Sequence, residues 1–316
     1  MISVVIPLYN KEKQIAGTLQ SVLHQTFQDF EVVVVNDGST DGSVREVQRI
    51  HDPRIRLVGQ ANAGVSAARN RGIEEARGAH IAFLDADDTW DKHYLATIDT
   101  LIQAYPHCKA RGTNYLLCCA GKQEHTILRK LPFTGTTGKL TNYFEVGACS
   151  HPPINASSIC VDKDLLLETG GFPLGVKSGE DLLTWARIAM RTHIAYTTHP
   201  LSHYNMDDTY IMTNTPPRRQ DKGDPVGRGL RQLLDEHPHT PGLRHYLSRW
   251  HKMRASTALR HFERAETLKE ALTSLRHDPL KTESYPFLIL PLLPSFAIKT
   301  ILGMDKLRPH HKTTPQ

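Results

Sequence analysis

Four consecutive valines, Val32 to Val35, are the stretch that most restricts how this chain folds. A continuous β-branched run is typical of a strand in a parallel sheet, because helices cover both faces of such a sheet. Apolar runs of this kind alternate with segments of helical periodicity over the first hundred residues. Predicted strands lie at 3–8, 31–36, 55–58 and 80–84, and the helices that follow them end near 25, 51, 77 and 105. The alternation predicts an α/β fold with a right-handed, doubly wound sheet.

Polar residues stand at the carboxyl ends of these predicted strands. Tyr9 follows the first strand, Asp37 the second and Asp85 the fourth. Ligands bind outside this edge of a doubly wound sheet, so the three side chains are candidates for one binding site. No GxGxxG follows the first strand and no GxxxxGK[ST] occurs in the sequence, so neither a Rossmann dinucleotide site nor a P-loop is supported.

The fourth strand ends in an acidic cluster, Asp85-Ala86-Asp87-Asp88. Side-chain alternation along an extended chain places Asp85 and Asp87 on the same side and turns Asp88 away. Two neighbouring carboxylates repel each other unless a cation lies between them, and oxygen ligands favour Mg²⁺ or Mn²⁺. The alternative is a solvated strand-end loop whose acids cap the next helix.

A second acidic pair, Glu180-Asp181, follows Gly179 and precedes a segment with Leu182, Trp185 and Ile188 at helical spacing. One interpretation is a favourable interaction of the two acids with a helix N-terminus, which is common. The other is a carboxylate placed as a general base at the edge of a cleft.

Composition indicates a globular and not a disordered chain, and its 316 residues are enough for one large or two moderate domains. The five cysteines form no CxxC pair, and the N-terminus begins directly in strand sequence, so we expect free thiols and a cytoplasmic protein without a signal peptide. Residues 218–316 carry 18 Lys and Arg against 10 Asp and Glu. This excess predicts an anionic partner surface, and the lack of interleaved aromatics favours a membrane over nucleic acid.

The C-terminal third contains a long amphipathic helical pattern from Leu243 to Phe262 and an apolar segment, 286–302. The apolar segment is shorter than the ~20 residues of a spanning helix and is interrupted by prolines. Basic residues Lys306, Arg308 and Lys312 follow it. It is either an anchor on an anionic membrane surface or a strip that packs on the protein. Residues 205–225, polar and rich in proline, are predicted to form a linker or a mobile loop.

Together these residues resemble the family 2 glycosyltransferases, which have the GT-A fold, over residues 2–205. The resemblance rests on five segments in order: Val4-Val5-Ile6-Pro7-Leu8-Tyr9-Asn10, Val35-Asn36-Asp37-Gly38-Ser39-Thr40-Asp41, Asn62-Ala63-Gly64 through Arg69-Asn70-Arg71-Gly72, Asp85-Ala86-Asp87-Asp88, and Gly179-Glu180-Asp181. The fourth is similar to the DxD motif of the family, and the fifth to its catalytic-base motif.

The resemblance implies an inverting transfer of a sugar from a nucleotide-diphospho-sugar, with UDP-sugar favoured, to an acceptor hydroxyl. Asp181 would be the base, Asp87 a direct ligand of Mg²⁺ or Mn²⁺, and His203 a third metal ligand. The donor would contact Pro7, Tyr9, Asn10, Asp37, Gly38, Gly64, Arg69, Asp85 and Ala86. Within this set Tyr9 would stack on the base, Asp37 accept from a uracil N–H, Arg69 meet phosphate, and Asp85 reach the ribose or a metal-bound water.

The absence of a QxxRW motif and of multiple spanning helices favours transfer of one sugar per encounter over polymer extension. The resemblance implies a glycan or lipid-linked glycan acceptor, a role in surface polysaccharide or glycolipid assembly, and a cytoplasmic location, peripheral on the inner membrane. No nucleic acid partner is expected. The implied domains are 1–215, with a nucleotide-binding half at 1–100 and an acceptor half at 101–215, then a helical extension at 216–283 and a tail at 284–316.

Three other functions fit parts of the sequence. Asp85 to Thr89 matches the DxDxT motif of haloacid-dehalogenase-like phosphatases, although those enzymes place it on their first strand. A sugar-nucleotide pyrophosphorylase needs a glycine-rich loop after the first strand, which Leu8 to Lys13 lacks. A sugar-binding scaffold without activity would not need Asp85, Asp87 and Asp181 together.

Overall fold

The computed structural model describes residues 1–119, 121–206 and 219–303. The chain divides into two compact units. The first unit contains residues 1–205 and 221–246, and the second contains the described parts of 206–220 and 247–316. Most of the predicted 205–225 loop and the basic residues Lys306, Arg308 and Lys312 lie outside the described residues.

The described residues of the first unit form one ten-stranded mixed sheet. Its strands are β1 (Ile2–Leu8), β2 (Phe30–Asp37), β3 (Ile55–Gln60), β4 (His80–Phe83), β5 (Thr89–Trp90), β6 (Ala110–Cys119), β7 (Lys122–His125), β8 (Thr137–Leu140), β9 (Ile159–Asp162) and β10 (Ile194–Asn205). The order is β3-β2-β1-β4-β9-β6-β10-β5, and β7 and β8 pair with β6 and β10. The four strands predicted from the sequence, β1 to β4, are all present.

The parallel part of the sheet positions the site. Strand β1 pairs in parallel with β2 and with β4, and β2 pairs in parallel with β3. The carboxyl ends of β1, β2 and β4 therefore meet at one edge. Strand β9 is antiparallel to both β4 and β6 and joins this part to the rest of the sheet. Val32 to Val35 are fully buried, as their β-branched run predicts.

Helices flank the sheet and confirm the predicted α/β fold. In the first unit they are α1 (Ile15–Leu23), α2 (Ser43–Gln48), α3 (Val65–Glu75), α4 (Tyr94–Ala104), α5 (Tyr143–Cys149), α6 (Lys163–Glu168), α7 (Glu180–Ala189) and α8 (Pro225–Glu236). Helix α3 lies close to the sheet because Gly72 has no side chain: a Cβ there would be 2.2 Å from Val5 Cγ1. This contact fixes the height of α3 over β1.

Aromatic packing places α7 beside β4. The Phe83 ring, at the end of β4, packs edge-on against Phe172 with centroids 5.2 Å apart, and Trp185 of α7 lies 6.0 Å from Phe83. Phe172 and Trp185 are themselves 5.4 Å apart. Each such pair contributes about 0.5–1.5 kcal/mol beyond its buried area. The packing of these three rings brings the N-terminus of α7 to the edge where β4 ends.

The second unit is helical. Its helices are α9 (Leu243–Arg260, which begins in the first unit), α10 (Arg264–His277), α11 (Pro286–Ile289) and α12 (Ser295–Ile301). Glu270 accepts hydrogen bonds from His251 and Arg254 in its buried interior, and these partners lower the pKa of Glu270 to about 2 although burial by itself raises it. Among the described helices none has the length and apolarity needed to cross a membrane.

Candidate active site

The acidic cluster forms a β-turn at the end of β4. The Asp88 N–H donates to the Asp85 carbonyl oxygen at 3.0 Å. The expectation that Asp85 to Asp88 alternate as an extended strand is therefore wrong, because β4 ends at Phe83 and the chain turns. Asp88 does point away from the surface. It accepts from Ser157 Oγ at 2.5 Å and from the Asn205 N–H at 2.8 Å.

Asp88 holds this turn in place. Burial raises the pKa of Asp88 well above its ordinary value, and the charges of Asp85 and Asp87 add to the effect. The two hydrogen bonds tie the turn to Ser157 and to the last residue of β10. Asn205 adds a third tie, because its Nδ2 donates to the Asp87 carbonyl oxygen at 2.9 Å. Asp88 therefore fixes the orientation of the turn and is not itself presented to solvent.

Arg69 joins the two acidic motifs. Its Nη2 lies 2.7 Å from Asp85 Oδ1 and its Nη1 lies 2.9 Å from Glu180 Oε1. The Arg69 side chain is 3% exposed, and the Phe172 ring covers the guanidinium at 5.0 Å. Burial by itself lowers the pKa of Arg69, but Asp85 and Glu180 outweigh it and the pKa lies above its ordinary value. Arg69 is thus a permanent buried charge and not a solvated helix residue.

Asp87 has a different partner. Lys11 Nζ lies 2.5 Å from Asp87 Oδ2, and the two side chains are 36% and 32% exposed. Lys11 stands three residues after the end of β1. Its N–H donates to Ser43 Oγ at 2.7 Å, which fixes its backbone against the loop that follows β2.

Asp37, at the end of β2, organises the start of α3. Its carboxylate accepts from Gln60 Nε2 at 2.7 Å and from the N–H groups of Ala63 and Gly64 at 2.9 Å each. Gly38, which has a φ of +71°, follows it where a Cβ would lie 2.9 Å from the Asn62 nitrogen. The Asp37 and Gly38 positions therefore fix the loop that opens α3.

Tyr9 and Asn10 follow β1 at the same edge. Tyr9 is 47% exposed. Asn10 has a left-handed backbone (φ 52°), and its Oδ1 accepts from the Thr40 N–H at 2.8 Å. These contacts link the loops after β1 and β2.

Asp181 lies at the first turn of α7, after Gly179 in a left-handed conformation. Burial and, to a smaller extent, the neighbouring charge of Glu180 raise the pKa of Asp181 to about 7, although the charge of Arg69 opposes both. The Leu182 N–H donates to Asp181 Oδ1 at 2.8 Å. A carboxylate with a pKa near neutrality is suited to take a proton at physiological pH.

The remaining predicted residues lie close to this edge. Pro7 is buried in β1 opposite Val35. Ala86 is buried in the turn, and its carbonyl oxygen accepts from Thr18 Oγ1 at 2.9 Å. His203 is half-buried in β10 and pairs with Thr89 of β5. Its role as a third metal ligand stays a prediction.

A hard divalent cation fits the donor set of the turn. Asp85 and Asp87 present carboxylates that are 28% and 32% exposed, and Asp88 is withdrawn into the interior. Two carboxylates leave most positions of an octahedral Mg²⁺ or Mn²⁺ open for water and phosphate oxygens. Asp85 and Asp87 are therefore the residues of this turn that could hold a cation together with a phosphorylated ligand.

Four residues that shape the site were missed in the sequence or given a different role. Lys11 was not singled out, although it follows Tyr9-Asn10 directly. Ser157 and Asn205, which bind Asp88, carry no sequence signal beyond a polar N-A-S-S turn and a strand end. For Glu180 the sequence leaves open an interaction with the helix N-terminus and a general-base role, and the structure adds its ion pair with Arg69. Among these four residues Lys11 had the clearest sequence signal, because it is a basic residue just after a predicted strand whose end belongs to the candidate site.

The sequence of this chain is similar to those of known glycosyltransferases. A family model described as Glycosyl transferase family 2 matches residues 3–115. The putative teichuronic acid biosynthesis glycosyltransferase TuaG of Bacillus subtilis (strain 168) is 30% identical over 221 residues, which are 68% of this chain and 82% of TuaG. Two other curated glycosyltransferases are 48% and 46% identical over 89 and 90 residues, and the match spans only 26% of the length of each.

Solved structures share the fold. S. aureus TarS 1–349, solved in complex with UDP-GlcNAc, has a TM-score of 0.64 at 19% identity and covers 96% of this chain and 88% of its own. The mannosyltransferase PcManGT from Pyrobaculum calidifontis, in complex with GDP-Man and Mn²⁺, has a TM-score of 0.54 at 20% identity and covers 96% and 87%. These likenesses confirm the predicted GT-A fold.

Proposed function

The chain belongs to glycosyl transferase family 2, and from that premise we propose that it transfers one sugar per encounter from a nucleotide-diphospho-sugar to an acceptor hydroxyl. One observation carries this proposal. Arg69 links the partly exposed acidic turn to the helix that bears Asp181, whose pKa is raised to about 7. In this proposal the buried Arg69 lies between the carboxylates of the turn, which would bind a cation, and Asp181, which would act as the base near neutral pH.

The donor is held at the carboxyl ends of β1, β2 and β4 in this proposal. Tyr9 stacks on the base, Asp37 accepts from its ring N–H, and UDP-sugar is the favoured donor. The TarS complex with UDP-GlcNAc supports a uridine nucleotide in the donor. PcManGT was solved in complex with GDP-Man, so a guanosine nucleotide is the second candidate. The proposed donor contacts are Pro7, Tyr9, Asn10, Asp37, Gly38, Gly64, Arg69, Asp85 and Ala86.

Asp87, with His203, would hold Mg²⁺ or Mn²⁺, and Asp85 would reach the ribose or a metal-bound water. The Mn²⁺ in the PcManGT complex supports the use of a divalent cation. When bound, the cation neutralises the charge that develops on the departing diphosphate. Arg69 holds the Asp85 carboxylate in the turn through the 2.7 Å contact.

Asp181 takes the proton from the acceptor hydroxyl. The acceptor oxygen then forms its bond to C1 of the sugar from the face opposite the diphosphate, the C1–O bond to the diphosphate breaks, and the configuration at C1 inverts. The inversion rests on family precedent. Because the pKa of Asp181 is about 7, a substantial fraction of this carboxylate is ionised at neutral pH and ready to accept the proton.

The acceptor is a glycan or a lipid-linked glycan in surface polysaccharide assembly. The name of TuaG, a putative teichuronic acid biosynthesis glycosyltransferase, supports this class. We also propose that 1–215 carries the transferase site, with a donor half at 1–100 and an acceptor half at 101–215, that 216–283 is a helical extension, and that 284–316 contacts the membrane. The protein would work in the cytoplasm on the inner face of that membrane.

Exposed apolar side chains support a membrane contact. Within 286–302, Ile289, Leu292, Phe296 and Ile301 are 57–73% exposed, whereas Ile298 is buried. The net positive charge of 218–316 complements anionic phospholipid headgroups.

Phe296→Asp should reduce co-sedimentation with phosphatidylglycerol vesicles and leave the sheet unit folded. Leu272→Asp, at an exposed leucine of α10, is the matched control. Equal binding of both variants and wild type would remove the membrane proposal.

Thermal shift with nucleotides tests the main proposal. UDP, UDP-GlcNAc and GDP-mannose are each added with and without MnCl₂. We expect at least one nucleotide to raise the melting temperature only when Mn²⁺ is present, because a ligand that binds only the folded state stabilises it. No shift with any nucleotide, or covalent phosphate trapped on Asp85 during phosphoester hydrolysis, would contradict it.

A further inference from the structure

The two partly exposed carboxylates of the acidic turn, those of Asp85 and Asp87, have counter-cations of different kinds. Asp85 is bound by buried Arg69, and Asp87 by half-exposed Lys11 at 2.5 Å. Resting on the proposed function above, we propose that Lys11 is an exchangeable counter-cation. Its ammonium group neutralises Asp87 in the unloaded protein, leaves Asp87 when a divalent cation and a nucleotide diphosphate bind there, and then contacts a phosphate oxygen.

The backbone of Lys11 is held so that only its side chain needs to move. The Lys11 N–H donates to Ser43 Oγ at 2.7 Å, and the next N–H, of Glu12, donates to Asp41 Oδ2 at 3.1 Å. Glu12 Oε2 in turn accepts from the Gly42 N–H at 2.7 Å. These hydrogen bonds, together with the one from the Thr40 N–H to Asn10, tie the loop after β1 to the loop after β2 and to the start of α2. The flexible four-carbon stem of lysine swings from a fixed Cα.

Exposure makes the Lys11–Asp87 pair replaceable. An ion pair that is about one third exposed gains little net free energy, because water and salt compete for both charges. A divalent cation with phosphate oxygens to complete its shell therefore displaces the ammonium group at small cost. The Arg69 pair is protected from this exchange, since the guanidinium is buried and binds two carboxylates.

Charge balance gives Lys11 its second contact. The Asp87 carboxylate and a bound diphosphate together carry more negative charge than one divalent cation neutralises, and the freed ammonium group remains tethered beside them. Lysine binds phosphate as a compact point charge that needs no fixed fork geometry. Arg69 already has both terminal nitrogens on Asp85 and Glu180 and stays in place, whereas the side chain of Lys11 can move toward the diphosphate.

The test separates the two contacts by measuring two affinities. Lys11→Met keeps the length of the stem and removes the charge. Mn²⁺ binding without nucleotide, followed by electron paramagnetic resonance, should tighten about two- to fivefold, as expected when a half-exposed competing ion pair is lost. UDP binding at saturating Mn²⁺, followed by calorimetry, should weaken about tenfold, the factor of one charge-assisted contact. Lys11→Arg should restore part of the UDP affinity.

Lys13→Met is the matched control, because Lys13 is exposed two residues along the same loop and carries the same charge. It should change both affinities by less than about twofold. Opposite signs for Mn²⁺ and UDP in Lys11→Met support the exchange. Weakening of both affinities, or changes no larger than those of Lys13→Met, would overturn it while the proposed function stands. A wild-type protein that binds neither Mn²⁺ nor UDP would overturn both.

Discussion

The two ion pairs of the acidic turn differ in how far water reaches them. Arg69 is almost fully buried and bridges Asp85 to Glu180, whereas Lys11 and Asp87 are each about one third exposed. A buried charge persists only where partners compensate for its lost hydration. An exposed pair is weak and exchanges readily. The difference separates two tasks: the buried pair fixes the geometry of the site, and the exposed pair leaves one carboxylate available to a ligand.

The base belongs to the buried side of this comparison. Asp181 follows Glu180 directly, and α7 is fixed by the packing of Trp185 against Phe83 and Phe172. The charge of Arg69 and the burial of Asp181 act in opposite directions on its pKa, and burial prevails. The buried bridge therefore positions the base and the acidic turn relative to each other, and it tunes the base.

Removal of the base carboxylate should have the largest effect. Asp181→Asn keeps the shape of the side chain but cannot accept a proton, so we expect sugar transfer to fall about 10²–10⁴-fold. Mn²⁺ and UDP binding should change little, since neither contacts Asp181 in the proposal. Glycosyl transfer is measured with a radiolabelled donor, and binding by calorimetry. Full turnover in Asp181→Asn would show that another group takes the proton.

Replacement of Arg69 or of Lys11 by methionine should lower the free energy of unfolding by different amounts. Arg69→Met leaves Asp85 and Glu180 without their shared partner, and we expect the free energy of unfolding to fall by about 3–5 kcal/mol. Lys11→Met is the matched variant on the exposed side, where we expect a loss below about 1 kcal/mol. Urea unfolding followed by circular dichroism measures both. Equal losses would break the comparison between a fixed and an exchangeable pair.

The sequence predicted the edge of the sheet at which the site lies, because parallel strands bring their carboxyl ends together. Tyr9, Asp37 and Asp85 could be placed at β1, β2 and β4 on this ground alone. The alternation of Asp85 to Asp88 was wrong because a hydrogen bond from the Asp88 N–H closes a turn there. Sequence periodicity describes regular strands and helices, and it fails where one local hydrogen bond redirects the chain.

The pairings across the site could not be predicted. Arg69 and Glu180 are 111 positions apart, and their contact depends on how the Phe83, Phe172 and Trp185 rings pack. Strand β6 lacked a readable pattern for a related reason. It is buried but contains Arg111, which forms an ion pair with Asp162 of β9 and so interrupts the apolar run. Buried charges that find partners far along the chain leave no periodic signal.

The Asp87 carboxylate should contribute more to the affinity for the divalent cation than the Asp85 carboxylate, which is paired with the buried Arg69. Asp87→Asn replaces a charged carboxylate ligand by a neutral amide in the proposal, and we expect Mn²⁺ affinity to fall about 100-fold. Asp85→Asn, whose carboxylate is held by Arg69, should lower it about tenfold. Electron paramagnetic resonance titration gives both constants. An equal or larger loss in Asp85→Asn would assign the direct ligand to the buried side and reverse the roles of the two acids.

The smallest effect concerns the pH dependence of transfer. The pKa of Asp181 is raised to about 7, so the ionised base becomes abundant above that pH and kcat/KM should rise through neutrality and then level. Glu180→Gln removes a negative charge that raises this pKa, and the rise should therefore move to lower pH. Glu74→Gln, an exposed acid on the same helix as Arg69, should leave the profile in place. A rise that moves to higher pH in Glu180→Gln would mean that Glu180 acts on the base mainly by positioning Arg69, and the electrostatic part of the comparison would fail.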